Sequence, residues 1–111
     1  MGYIRHHAII ITYNEDALSY NNMEIPIVKI KEYFGQHNVA VVCSGINSYK
    51  TIIIGPDGSK EGWPKSDEGD HRREEFLEWF VKWSKWCDVI EVCYGGDGEE
   101  STIRDIYMGV K

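Results

Sequence analysis

One long polar stretch, residues 55–69, holds most of the side chains in this chain that are suited to binding a small ligand. It reads Gly-Pro-Asp-Gly-Ser-Lys-Glu-Gly-Trp-Pro-Lys-Ser-Asp-Glu-Gly. Loops of about 15 residues without secondary structure are uncommon in compact domains and are often functional. The pattern then predicts a helix that begins at Asp70, and the free N–H groups of a helix N-terminus favour an anion such as phosphate. Four cations supply the counter-charge: Lys60, Lys65, Arg72 and Arg73.

A nucleotide would use each residue type in this stretch. Trp63 would stack on a base, with Tyr49 as a second platform, and such stacking is worth about 1–3 kcal/mol per base. Lys60 and Arg73 would hold phosphate, and the remaining polar groups would bond to ribose or base edges. The predicted ligand-binding residues are therefore Tyr49, Lys60, Trp63, Ser66, Asp67, Asp70 and Arg73.

The same stretch also fits a solvated loop with a Pro-Asp-Gly turn and an Asp helix cap. Its spacing is not that of a phosphate-binding P-loop. Four carboxylates oppose a phosphate there: Glu61, Asp67, Glu68 and Asp70. Both interpretations stay open at the level of sequence.

Catalytic and metal-binding motifs are not evident elsewhere. His6 and His7 adjoin on a predicted strand and should point to opposite faces of a sheet. His71 lies near Asp67 and Asp70, but no metal-ligand spacing accompanies it. The serines lack the context of an activated nucleophile, and Cys43, Cys87 and Cys93 are expected to be core residues. We therefore expect no cofactor and no metal, and binding is favoured over catalysis.

Composition narrows the class of protein. The chain has 111 residues with a net charge of -6, enough for a single domain spanning residues 1–111. An acidic surface repels phosphate backbones and anionic lipid, so neither general nucleic-acid binding nor a membrane is expected. The odd number of cysteines argues against a disulfide framework and favours a reducing cytoplasm.

Hydrophobic periodicity predicts five strands and two helices. The strands cover residues 3–13, 39–43, 49–54, 89–94 and 101–108. The helices cover residues 26–35 and 70–86, and residues 14–23 are interpreted as a loop. The order β-α-β-β-α-β predicts an α+β, ferredoxin-like arrangement with an added C-terminal β-strand and two helices on one face of the sheet. Strands one and three should be central, with parallel neighbours across the helices.

Two surfaces suggest partners. Trp79, Trp83 and Trp86 widen the apolar stripe of the second helix beyond what one sheet needs, which favours a homodimer or higher homo-oligomer. An acidic arm near the C-terminus either lies in solvent or engages a basic protein. That arm consists of Asp97, Glu99, Glu100 and Asp105.

Several segments together resemble a family of small tailed-phage proteins of uncharacterised function, whose longest signature has the form PDGSKEGW…SDxGD. Arg73, Phe76 and Trp79 match its helix positions. The matching segments are residues 5–12, 47–49, 56–63, 66–70 and 91–97. The resemblance implies a phage protein acting in the cytoplasm of an infected bacterium, and it implies that the polar loop is a family feature.

The combined reading is a phage-encoded protein that sequesters a small nucleotide-like ligand, such as a host immune second messenger. The alternative is a protein-binding inhibitor of a host enzyme that acts through the acidic arm and exposed aromatic residues. A third possibility is an enzyme acting on nucleotides, with His7 or His71 as its base.

Overall fold

The computed structural model describes residues 4–43, 45–58, 63–96 and 100–107. Within that part of the chain, five strands and three α-helices follow one another. They are β1 Arg5–Asn14, α1 Glu15–Tyr20, α2 Ile27–Phe34, β2 Val39–Cys43, β3 Tyr49–Ile54, α3 Pro64–Phe80, β4 Cys87–Gly95 and β5 Thr102–Asp105. Short 3-10 turns lie at Gln36–Asn38 and Val81–Trp83.

The strands form one sheet in the order β2-β3-β1-β4-β5. Its first four strands have the ferredoxin-like order, and β5 is added beside β4, so the predicted α+β fold is confirmed. Strands β1 and β3 are central, as expected. Every neighbouring pair is antiparallel, so the prediction of parallel neighbours is wrong. Strands joined through a helix do run parallel, but another strand lies between them.

The sheet has a covered face and an open face. Ile9, Ile11 and Tyr13 of β1 are buried together with Ile52 and Ile54, their neighbours on β3. The three helices cover this face with side chains that include Leu18, Ile30, Phe76 and Phe80. The alternate residues of β1, which are Ala8, Ile10 and Thr12, point with their cross-strand neighbours to the other side, here called the open face.

Helix α1 lies in the segment that the sequence pattern assigned to a loop, so that assignment is wrong. The Asn14 side chain accepts a hydrogen bond from the Ala17 N–H at 3.0 Å and caps the helix. Glu15 and Asp16 then occupy the first turn, where carboxylates suit the helix dipole. Only Leu18 of the six residues is buried, so the segment has no hydrophobic repeat from which a helix could be predicted.

Helix α3 begins six residues earlier than its apolar pattern indicates. Pro64 occupies the first turn, where its missing N–H costs nothing, and Trp63 precedes it as the N-cap residue. Asp70 therefore lies inside the helix and does not cap it. The helix ends at Phe80, before the 3-10 turn Val81–Trp83, and so is shorter at its C-terminal end than predicted.

The tryptophan stripe packs into the core. Trp83 is buried, and its indole N–H donates a hydrogen bond to the Glu24 carbonyl at 3.1 Å. Trp79 and Trp86 are partly buried against the same core. The stripe is wide because Trp83 also meets the chain at Glu24 and Trp79 contacts Tyr33 of α2. Its width is therefore no longer an argument for self-association.

The C-terminal segment is tied to α3 by a buried hydroxyl. The Tyr107 O–H donates to the Leu77 carbonyl at 2.7 Å. Burial raises the pKa of Tyr107 well above its ordinary value of 10.0, because the phenolate would lose its hydration. Ionisation of Tyr107 is therefore disfavoured in the folded state. The free energy of unfolding is unaffected by this ionisation below pH 10.0 and falls as the pH rises from there toward the folded-state pKa.

We expect Tyr107→Phe to lower the free energy of unfolding at neutral pH by about 1 kcal/mol, the usual contribution of one hydrogen bond. The variant should also lose less stability than the wild type above pH 10. The matched control is Tyr20→Phe, since Tyr20 is 89% exposed. Urea unfolding at neutral and alkaline pH measures both effects. Equal losses in the two variants would contradict the assignment.

Candidate functional site

Of the residues that the sequence assigns to a ligand site, the structure brings Asp70 and Arg73 together and places Tyr49 apart from them. Lys60 lies in residues 59–62, outside the described part of the chain. Ser66 lies in α3, and its side chain is likewise outside the description. Trp63 is exposed at the start of the helix, and Asp67 and Asp70 are exposed along it. Ligand binding by these residues stays a prediction.

Arg73 is already engaged by carboxylates. Its guanidinium pairs with Asp70 on the same helix and with Glu91 of β4, where the nearest N–O distance is 3.6 Å. The Arg73 side chain is only 11% exposed and that of Glu91 15%. Arg104 of β5 adds a second cation on Glu91 at 3.0 Å. Arg73 thus holds α3 against the sheet, and a phosphate would have to compete with these carboxylates for it.

Beside Arg73 lies a small cavity of about 30 Å³. Its polar lining includes His7, Asn38, Asp57 and Arg72. A water molecule takes up about 30 Å³ in the liquid, so the cavity has room for roughly one water and none for a nucleotide. At Gly69 a Cβ atom would lie 2.7 Å from an Asp57 carboxylate oxygen, so a larger residue would force the Asp57 side chain to move.

His7 lines this cavity and forms a contact that sequence analysis missed. Its Nε2 atom lies 3.9 Å from the Cys93 sulfur, because the two residues are directly opposite in the β1–β4 register. A thiol beside an imidazole has the composition of a nucleophile and its base. The cavity is too small to admit a substrate, so this pair is not the basis of a proposed activity. His6 points to the other face, toward Tyr94, as predicted.

Two other sequence expectations need correction. Tyr49 begins β3 and pairs with Asn14, whereas the polar loop follows the far end of that strand, about 20 Å away at the usual rise per residue. Its register also places it on the open face, away from α3. Cys43 is exposed and so is not a core residue, whereas Cys87 is buried.

The acidic arm is described only in part. Asp97 and Glu99 lie outside the described residues, and Glu100 and Asp105 are exposed.

A larger concave site lies at the opposite end of the covered face. This site, called the α1 cleft, measures about 670 Å³ and opens between α1, residues 22–27 and the adjoining ends of β1, β2 and β3. Ligand sites in proteins usually measure about 300–1,000 Å³ and combine apolar walls with a few polar groups. Its apolar walls come from Leu18, Met23, Ile25, Ile27 and Val41, and its main polar groups from Tyr13, Glu15 and Lys50.

Electrostatics distinguish the α1 cleft from the small cavity. The Lys50 ammonium contacts the Glu15 carboxylate at 2.5 Å, and this hydrogen bond raises the pKa of Lys50. Burial raises the pKa of the adjacent Tyr13 hydroxyl, an effect that the nearby Lys50 charge partly offsets. Groups with displaced pKa values in a concave setting that mixes apolar and polar side chains are typical of binding sites.

The Lys50 ammonium and the Tyr13 hydroxyl both stay protonated at neutral pH, so each acts as a hydrogen-bond donor there. Neither is suited to remove a proton from a substrate.

Comparison with protein-family models, with curated proteins and with solved structures finds no match for this chain. In the described part of the chain, no three His, Cys, Asp or Glu side chains are placed to share a metal ion. No helix among the described residues combines the length and the apolar character needed to cross a membrane.

We expect Arg73→Met to lower the free energy of unfolding by about 2 kcal/mol, because it leaves the largely buried Glu91 without this partner. Arg72→Met is the matched control, since Arg72 is exposed on the same helix and forms none of the ion pairs around Glu91. It should change stability by less than about 0.5 kcal/mol. Chemical denaturation of both variants measures the difference, and equal stabilities would refute the role given to Arg73.

Proposed function

We propose that this protein binds and sequesters a small nucleotide-like ligand, and that the α1 cleft is the binding site. The observation that carries the proposal is the cleft itself. It is about 670 Å³ in volume, with apolar walls around a protonated lysine and a protonated tyrosine. That combination suits a ligand with a planar or apolar body and one anionic head.

The ligand body would lie against the apolar wall. Met23 and Ile27 are half-buried and Val41 of β2 is exposed, so all three present apolar surface in the cleft. A base or similar ring that covers these side chains removes apolar surface from water at about 25 cal/mol per Å². The Tyr13 hydroxyl would donate a hydrogen bond to the ligand.

The anionic head would replace Glu15 at Lys50. The Glu15 side chain is half exposed, so it can turn outward when a phosphate takes its place. Glu15 and Glu24 both line the cleft and repel further negative charge. The cleft therefore favours a ligand with a single phosphate over one with a polyphosphate chain.

Sequestration fits these groups better than turnover. The raised pKa values keep Lys50 and Tyr13 protonated at neutral pH, which suits holding an anion and does not suit general-base catalysis. The resemblance to phage proteins supports a role inside an infected bacterium, where removal of a host signalling nucleotide would be useful to the phage. The proposal includes self-association of the chain, although not through the tryptophan stripe.

Two probes test the site: adenosine monophosphate and the fluorescent compound anilinonaphthalene sulfonate, each with rings and one anionic group. Lys50→Gln should weaken binding of both about tenfold, since it removes the charged donor that holds the anionic group. Glu15→Gln should tighten binding, because it removes the competing carboxylate. Titration by fluorescence and by calorimetry measures both. Binding that neither variant changes would contradict a role for Lys50.

The position of the site is tested by two consecutive residues of β2. Val41 lines the cleft and Val42 points to the open face, with similar exposures of 45% and 52%. We expect Val41→Glu to abolish binding of both probes and Val42→Glu to retain it. Trp63→Ala should also retain it. Loss of binding in Trp63→Ala, with Val41→Glu unaffected, would instead place the ligand at the polar loop that the sequence predicts.

A further inference from the structure

The open face is an apolar surface that spans all five strands. The β-sheet register aligns its residues in rows, and the central row is Ala40, Ile53, Ile10, Ile90 and Asp105. A second row consists of Ala8, Val92 and Ile103. No helix in the described part of the chain lies over these rows, because all three pack on the covered face.

Large side chains on this face are accessible to solvent. Ile103 of β5 is 71% exposed, and Val42 and Ile53 are also exposed. Contiguous exposed apolar patches of this kind are uncommon on monomeric proteins and mark sites of association. At the centre, Ile10 and Ile90 adjoin across β1 and β4 and are half-buried by their neighbours. The patch is therefore continuous from β2 to β5.

The charges on the open face exclude two classes of partner. None of the described strand residues on this face is Lys or Arg, and the charged ones are Asp88 and Asp105. A nucleic acid or an anionic membrane needs cations where it docks. The chain as a whole is also acidic, with a net charge of -6. A partner surface must therefore be apolar and without strong negative charge at its centre.

A second copy of this chain meets that requirement. Two sheets packed face to face about a twofold axis near Ile10 would bring apolar rows together and leave the aspartates at the rim. Five strands at about 4.8 Å and six residues at about 3.4 Å give a flat area of about 490 Å² per copy. The total of about 980 Å² is close to the ~1,000 Å² expected of a specific interface, and the uneven surface of the side chains adds to it.

We propose that the protein forms a twofold-symmetric dimer through its open face. This inference rests on the self-association included in the proposed function and supplies its surface. It is independent of the α1 cleft, because alternate residues of each strand serve the two faces. In β2, Val41 faces the cleft and Val42 faces the second copy.

Sedimentation velocity over a range of protein concentrations tests the dimer. The wild type should reach twice the chain mass of 12.8 kDa. Ile53→Glu places a charge at the centre of the face, on a strand that is not at an edge of the sheet. We expect it to raise the dimer dissociation constant about 30-fold or more, as central interface residues do. Val42→Glu and Ile103→Glu should act in the same direction.

The matched control is Val41→Glu, which should leave the dissociation constant unchanged within about threefold, the error allowed for a distant surface change. Far-ultraviolet circular dichroism confirms that each variant is folded. Ile103→Glu keeps the test decisive if Ile53→Glu unfolds, since Ile103 is the most exposed of the three.

Three results would overturn the inference. If the wild type is monomeric, the chain does not self-associate and the open face is not a dimer interface. A wild-type dimer that survives both Ile53→Glu and Ile103→Glu would keep self-association and assign it to another surface, such as an edge strand. A wild-type chain that stays monomeric and binds another protein through Ile53 would favour the inhibitor role. Probe binding at the α1 cleft is measured separately. A result that contradicts the dimer therefore leaves the proposed ligand site unaffected.

Discussion

The structure depends on β1, a central strand whose side chains are apolar on both faces. Ile9 and Ile11 are fully buried beneath the helices, while Ala8 and Ile10 point the other way. A slip of one residue in register would exchange these two sets and place Thr12 in the core. Antiparallel pairing with β3 on one side and β4 on the other fixes the register. Both the cleft under the helices and the bare opposite face follow from that one alignment.

Sequence patterns predicted the elements that have a hydrophobic repeat. Strands β2 and β3 have the expected bounds, and α2 lies between Pro26 and Gly35 as its flanking residues indicate. Patterns failed where the local chemistry is polar. Helix α1 has a single buried residue, and the first half of α3 has polar side chains that are also typical of a loop. Helix α1 is set by its Asn14 cap, and the start of α3 by Pro64 and by tertiary contacts, which no periodicity records.

The candidate site was harder to predict than the fold, because it too depends on tertiary contacts that sequence periodicity does not record. The polar loop attracted attention because its residue types suit phosphate, yet Arg73 is engaged by Asp70 and Glu91. The α1 cleft draws on β1, β2, β3 and a helix that was not foreseen, so its residues are far apart in the chain and share no motif. A partial signal existed in Lys50, a lone cation in a strand of otherwise uncharged residues. Its partner Glu15 could be found only from the register and the position of α1.

The distribution of charge constrains how this protein can hold an anion. Its acids outnumber its bases, with 18 Asp and Glu against 12 Lys and Arg. Arg73, Arg104 and Lys50 all contact carboxylates in the structure. At any of these three cations a phosphate would have to displace a carboxylate, which costs the free energy of the existing pair. That cost is low at Lys50, because Glu15 is half exposed and an exposed ion pair contributes little to stability. It is larger at Arg73, whose pair with Glu91 is mostly shielded from water. The same residue types thus stabilise the fold at one end of the sheet and leave an exchangeable contact at the other.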